Sequence, residues 1–293
     1  MRVVALGSVK ASPGVTTTML ALAAVWPEQR PLLLIEADPD GGDLAARYGL
    51  RIEPGLTSLA AAGRRALASD EADKHTQVLS GGLKVVVGPP DAEQATRSLE
   101  VLGERLMVAL AEFADRDVLI DCGRLRPGSP ATALFSAAAA PILVARPRLD
   151  ELQHLHPRIE RLTAECRRPE LLLIGDHPYS ADEVARAVGV AVIGVLATDR
   201  SNADALNGLD RNPERLQRSP LLRHARGIAE ALVAKLPGGA GATREVAVSE
   251  TGSPSVSRAR RENPVSAGGH GEPSRWADAL QRTSPTPRTG TGR

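Results

Sequence analysis

Aromatic residues are almost missing from this chain: Phe, Tyr and Trp together make up 2% of it. That argues against recognition of unpaired bases by ring stacking. Cysteine is scarce too. Cys122 and Cys166 are the only two and stand far apart, so they suggest neither a disulfide framework nor a metal cluster, and they fit a reducing cytoplasm. Long apolar runs are also absent. The longest, Ala131 to Ala145, is interrupted by Ser136 and Pro141 and falls short of the roughly 18 to 20 residues of a membrane span. The first residues carry one basic side chain and a very short apolar run, so no signal peptide is expected. Neither sign of charge dominates. A net charge of +1 excludes binding of polyanions by bulk charge alone. Lysines are few while Ala, Arg and Gly abound, a composition that fits a GC-rich bacterial genome.

What is present begins at Arg2 to Thr18, RVVALGSVKASPGVTTT. Val3-Val4-Ala5-Leu6 reads as a strand. It enters a loop of small residues that ends at Gly14, and Thr16, Thr17 and Thr18 open an Ala- and Leu-rich helix reaching about Trp26. The first N–H groups of a helix are unpaired and its dipole favours negative charge there, so a phosphate is the expected guest. The P-loop pattern is G-x-x-x-x-G-K-[ST]. With its second glycine at Gly14, the hydroxyl falls on Thr16, the lysine position holds Val15 and the first glycine position holds Val9. A charge-assisted bond to phosphate contributes roughly 1.5–3 kcal/mol. Losing the lysine thus costs about one to two orders of magnitude in affinity. Hydrolysis, which needs charge stabilised on the transferring phosphoryl group, should suffer more. A plain strand–helix turn with no ligand is the other reading.

Further along, Pro31-Leu32-Leu33-Leu34-Ile35 is continuously apolar, the mark of a strand buried on both faces of a parallel sheet. It ends in Glu36-Ala37-Asp38-Pro39-Asp40-Gly41-Gly42-Asp43. Four carboxylates thus stand at a strand's C-terminal edge, where open α/β sheets bind ligands. Residues 55–80 read as helix and loop with little chemistry. Lys84 to Val87 is a third strand, and Asp91 caps a helix over 92–113 with Leu99, Leu102, Leu106 and Leu110 at core spacing. Asp117-Val118-Leu119-Ile120-Asp121-Cys122-Gly123 is an apolar strand closed by an acid, the form that holds Mg²⁺ at a strand tip. Strands follow at 141–146, 171–174 and 190–196. His154 and His156 lie two apart on the helix after the first of these and so do not share a face; they read as surface histidines. Ser180 and Glu183 form a capping box. A helix over 220–235 closes the pattern. Strands alternating with helices predict an α/β fold, a doubly wound, mostly parallel sheet flanked by helices, over residues 1–235. Residues 236–293 are rich in Gly, Pro, Ser, Thr and Arg. They cannot bury enough surface to fold and are expected to be a disordered tail. Its one apolar cluster runs from Trp276 to Leu280, either a short docking helix or a stray Trp in a linker.

Lys10-Ala11-Ser12-Pro13-Gly14-Val15-Thr16-Thr17 resembles a worn form of the ParA/MinD signature K-G-G-x-G-K-[ST]. It keeps the first Lys, the last Gly and the Thr pair. Glu36-Ala37-Asp38-Pro39 resembles the same family's D-x-D-P-Q, and Asp117 to Gly123 its D-x-x-x-I-D-x-P. The resemblance spans about residues 1–235 and implies a P-loop NTPase-like fold of the SIMIBI class with ATP and Mg²⁺ as cofactors. It implies that Lys10, Ser12, Gly14, Val15, Thr16 and Thr17 surround the phosphates, with Asp199 near the base. It places Thr16, Glu36 and Asp121 toward the metal and Asp38 toward the attacking water. Lys10 would cross to a partner's phosphates in a homodimer. Asp176 and His177 stand where the family often has a base-contacting Asn. Asp38 to Leu44, DPDGGDL, resembles a subgroup with worn P-loops, the TadZ/CpaE-like positioning factors of Tad/Flp-type pilus and secretion machines. The implied function is a nucleotide-modulated, dimeric positioning or scaffold factor with weak or absent ATP hydrolysis, serving a separate motor ATPase or assembly protein. The alternative is an active ParA-type ATPase of chromosome or plasmid partitioning that binds DNA non-specifically. Residues 200–235, with seven basic against four acidic side chains, would supply its basic surface. A metabolic enzyme on the same scaffold finds no substrate motif here.

Overall fold

Seven of the apolar runs become seven parallel strands, and an eighth strand joins them. The computed structural model describes residues 2–10, 14–27, 30–64, 67, 71–79, 82–113, 115–165, 169–208 and 216–237. Ser12, Cys166 and residues 238–293 of the expected tail, Trp276 among them, lie outside them.

The chain runs β1 (Val3–Ser8), α1 (Val15–Ala23), β2 (Leu32–Glu36), α2 (Leu44–Tyr48), α3 (Leu56–Gly63), α4 (Glu71–Lys74), β3 (Gln77–Val78) and β4 (Lys84–Val86). It continues with α5 (Ala92–Ala111), β5 (Asp117–Arg124), α6 (Pro130–Ala137), β6 (Ala140–Ala145), α7 (Leu149–Glu165) and β7 (Glu170–Ile174). It ends with α8 (Ala181–Val188), β8 (Val192–Leu196), α9 (Arg200–Leu206) and α10 (Pro220–Lys235). The sheet order is β3-β4-β2-β5-β1-β6-β7-β8. The two-residue β3 pairs antiparallel with β4 at the edge. The sequence reading missed it because two residues carry no period.

The strands bury both faces, as continuous apolar runs require. Val4, Leu6, Leu34, Leu119 and Ile142 share one core cluster with Met19 and Leu22 of α1 and Ile228 and Leu232 of α10. The alternate residues Val3, Ala5, Leu33, Ile35 and Ile120 are equally buried and by the pleat face the other way, where α3, α5 and α6 pack together. The four predicted leucines of α5 are all buried, but the helix is interrupted at Gly103, whose φ of 41° is not helical. The Ser180–Glu183 capping box forms as expected.

Position follows from this order. β1 is central, with β5 and β2 on one side and β6 and β7 on the other. The loops that leave the C-terminal ends of β1, β2 and β5 therefore meet at the point where the winding changes direction, the place where such sheets bind ligands.

Candidate functional site

The turn into α1 is built on Gly14, which adopts φ 100°, ψ 42°, a left-handed conformation that only glycine enters without cost. Its carbonyl accepts the Thr18 N–H at 2.8 Å and starts the helix. Thr16 then sits on the first turn, and its hydroxyl donates to Asp121 Oδ2 at 2.6 Å. The other carboxylate oxygen of Asp121 accepts the Gly123 N–H at 2.9 Å. Asp121 is fully buried. Burial pushes its pKa up, while the Thr16 hydroxyl, the Gly123 amide and the Arg47 guanidinium pull it back. A hydroxyl on the first turn of the loop helix, bonded to a carboxylate at the tip of a neighbouring strand, is the pair that holds Mg²⁺ in P-loop NTPases. Among the described residues no three His, Cys, Asp or Glu side chains are grouped to cage a metal. Mg²⁺ needs no such cage, because one or two carboxylates, water and phosphate oxygens suffice. The donor set present fits it.

The acidic stretch after β2 divides into two roles. Glu36, expected at the metal, is turned to the backbone instead. Its Oε1 accepts the N–H groups of Asp43 at 2.7 Å and Leu44 at 3.0 Å, and its Oε2 accepts that of Gly88 at 2.9 Å. Both oxygens are thus occupied in fastening the segment before α2 to the end of β4. Burial outweighs these three bonds and raises the pKa of Glu36 to about 7. Asp38 is only half-buried and accepts the Asp40 N–H at 2.8 Å. Burial, reinforced by the Asp121 carboxylate, raises its pKa to about 6. Asp38 lies directly against Gly123: a Cβ built there would stand 2.0 Å from Asp38 Cγ, and Gly123 has φ +52°. Gly123 thus stands at that position because the Asp38 carboxyl fills the space.

Two adjoining cavities meet at Gly14 and Thr17. The polar one, about 360 Å³, is bounded by Thr16, Asp38, Asp43, Arg47 and Arg124. The other, about 380 Å³, has aliphatic walls from Ile174, Leu196, Ala203 and Leu221, with Arg146 and Asp199 at polar points. Asp199 is thus part of the wall of this second cavity. Its carboxylate caps α9, accepting the Asn202 N–H at 3.2 Å and the Asn202 side chain at 2.7 Å. Asp176 and His177 are exposed and pair with each other at 3.6 Å. They do not line this cavity. Val15 lies at the rim of the polar cavity, but its side chain is 6% exposed and belongs to the core cluster. Lys10 Nζ is 3.3 Å from His154 Nε2 on the exposed side of α7 and does not border the polar cavity. Thr17 bonds Asn207 at 3.2 Å, and Asn207 accepts from Arg47 at 2.6 Å. Neither Asn207 nor Arg47 was legible as a site residue. The one signal that Arg47 carries along the chain is its i,i+4 spacing from Asp43, which is common to surface pairs.

The fold is that of the ParA/MinD-like P-loop NTPases. A ParA family ATPase from Chlorobium tepidum TLS superposes with a TM-score of 0.64 at 17% identity, over 78% of this chain and 98% of that one. The cell division ATPase MinD of Pyrococcus furiosus gives 0.62 at 18%, over 79% and 98%. McdA from Cyanothece gives 0.58 at 18%, over 79% and 99%. At such identities the likeness is one of fold. No protein-family model and no curated protein matches the sequence.

Proposed function

We propose that this protein is a nucleotide-responsive relative of ParA and MinD, in which Mg²⁺-nucleotide binding persists and rapid hydrolysis does not. The observation that carries this reading is the 2.6 Å bond from Thr16 to Asp121. Asp121 is buried and Thr16 partly exposed above it; the two are correctly ordered along the chain and placed at the N-terminus of the loop helix. MinD from Pyrococcus horikoshii, similar in fold with a TM-score of 0.59, was solved in complex with Mg-ADP, which supports the same ligand here. Thr16 and Asp121 would hold Mg²⁺, which when bound neutralises phosphate charge. The N–H groups opening α1 would take phosphate oxygens. The aliphatic cavity beside Gly14 and Thr17 would take the base, with Asp199 at its edge. Asp38 faces the phosphate side, where it can orient water. Without a lysine at Val15, turnover is expected to be slow.

The downstream role we infer is a dimeric positioning or scaffold factor. MinD from Aquifex aeolicus, similar in fold, was solved in a complex with MinC, so this fold is used for docking a second protein. The DPDGGDL segment supports the Tad/Flp-type setting, with a separate motor ATPase as partner. Residues 1–235 would form the nucleotide domain and residues 236–293 a tail outside it. The test is calorimetry of the purified protein with Mg-ADP and Mg-ATP, beside Thr16→Ala and Asp121→Asn. Micromolar binding that weakens at least tenfold in both variants and on chelation of Mg²⁺ is expected. Absence of binding by the natural protein at millimolar nucleotide overturns the reading.

A further inference from the structure

The polar cavity poses a charge problem. It is bordered by Asp38, Asp40 and Asp43, with Asp121 buried beneath Thr16. A polyphosphate entering it would be repelled by carboxylates and would find a valine at the lysine position. Lys10 stands away from it, beside His154. The cations that border the cavity are Arg47 and Arg124.

Arg47 is the one tied to the helix that opens the site. Its guanidinium donates to Asn207 Oδ1 at 2.6 Å and to Asp43 Oδ2 at 2.6 Å. Asn207 in turn donates to Thr17 Oγ1 at 3.2 Å, on the first turn of α1. This chain of bonds fixes a long side chain from α2 in front of the helix N-terminus. Two of its five N–H donors serve these bonds, so donors remain for a further acceptor. The side chain is 28% exposed, which leaves the guanidinium neither desolvated nor loose.

We propose that Arg47 supplies the phosphate-binding cation that Val15 no longer provides, reaching the phosphates from α2 across the cavity rather than from within the loop. The proposal rests on the nucleotide reading of this site. A planar fork suits two phosphate oxygens at once. Its arrival from a different element explains how the loop could lose its lysine, pack Val15 into the core and still hold an anion.

The experiment is calorimetry of the full chain with Mg-ADP, Mg-ATP and adenosine, for the natural protein, Arg47→Ala, Arg47→Lys, Asp43→Ala and Arg124→Ala. Circular dichroism and thermal unfolding serve as the check on folding. Arg47→Ala is expected to weaken both nucleotides roughly ten- to hundredfold and to leave adenosine unchanged, because adenosine carries no phosphate. Arg47→Lys should retain part of the affinity. Asp43→Ala removes the ion pair but keeps the guanidinium and its bond to Asn207, so it should weaken nucleotide binding far less than Arg47→Ala does. Equal nucleotide affinity in Arg47→Ala and the natural protein overturns this inference alone. So does an equal loss for adenosine, or a loss seen in Arg124→Ala and not in Arg47→Ala. A natural protein that binds neither nucleotide overturns the nucleotide reading itself, and this inference with it.

Discussion

Glu36 shows how a residue of the expected type can serve another purpose. A carboxylate at a strand tip before Asp38 reads as a metal ligand, yet three backbone N–H groups converge on it. A side chain that satisfies three backbone donors, two of them buried, is hard to replace, since each buried donor left orphaned costs about 1–3 kcal/mol. Its pKa of about 7 against an ordinary 4.5 fixes the direction of a pH effect. The folded state holds the proton more tightly than the unfolded chain, so this group's contribution to stability is greatest below pH 4.5. It is lost as pH rises toward 7 and is level above it. The loss amounts to about 3 kcal/mol. Urea unfolding from pH 4.5 to 8 should show this decline, and Glu36→Gln should flatten it while lowering the midpoint throughout. An unchanged pH slope in the variant would assign the decline to other groups.

Among the elements, the N-terminal ends of the strands are held by a buried polar knot. Asp117, at the start of β5, is 2% exposed. It accepts from Arg2 at 2.5 Å and 3.3 Å and from the indole of Trp26, after α1, at 3.0 Å. Arg2 also donates to the Pro237 carbonyl at 2.6 Å. Four stretches of chain thus meet at the edge of the sheet opposite the site. Removing one partner leaves a buried charge alone, which typically costs about 3–5 kcal/mol. Asp117→Ala should therefore destabilise by that amount in denaturant unfolding, and a double variant with Arg2→Met should recover a large part. The site lies at the other ends of the strands, so nucleotide affinity in the folded Asp117→Ala protein should stay near that of the natural protein. A large affinity loss would show that the two edges are coupled.

For the whole molecule, ligand and assembly provide the measurable quantities. A ligand that binds only the folded state stabilises it by about 2.7 kcal/mol at a hundred times its Kd. Mg-ADP should therefore raise the melting temperature in proportion to the logarithm of its concentration. The dimer proposed above would have Mg-ATP draw two copies together with Lys10 reaching across. Lys10 stands on an exposed face beside His154 rather than in its own cavity, which suits such a reach. Sedimentation with saturating Mg-ATP should show a dimer for the natural protein and a monomer for Lys10→Ala. A monomer in both would confine the nucleotide's role to a single subunit. No helix among the described residues is long and apolar enough to cross a membrane.

The strands were legible because their runs are continuously apolar, and a run buried on both faces is recognisable whatever the detail of packing. Thr16, Asp121 and Asp199 were legible because each follows a strand in a fixed order, and order along the chain places them on one edge of the sheet. The sequence by itself therefore determined the doubly wound sheet and the edge on which its loops converge. It could not determine where a side chain turns once it arrives there. Glu36 and Asp38 are two residues apart and chemically alike; what separates them is the position of the Gly88, Asp43 and Leu44 amides, set by other segments. Arg47 and Asn207 are 160 residues apart and carry no motif. Only the docking of α2 and α9 beside the N-terminus of α1 joins them, because a cation's role depends on the charges that surround it in space.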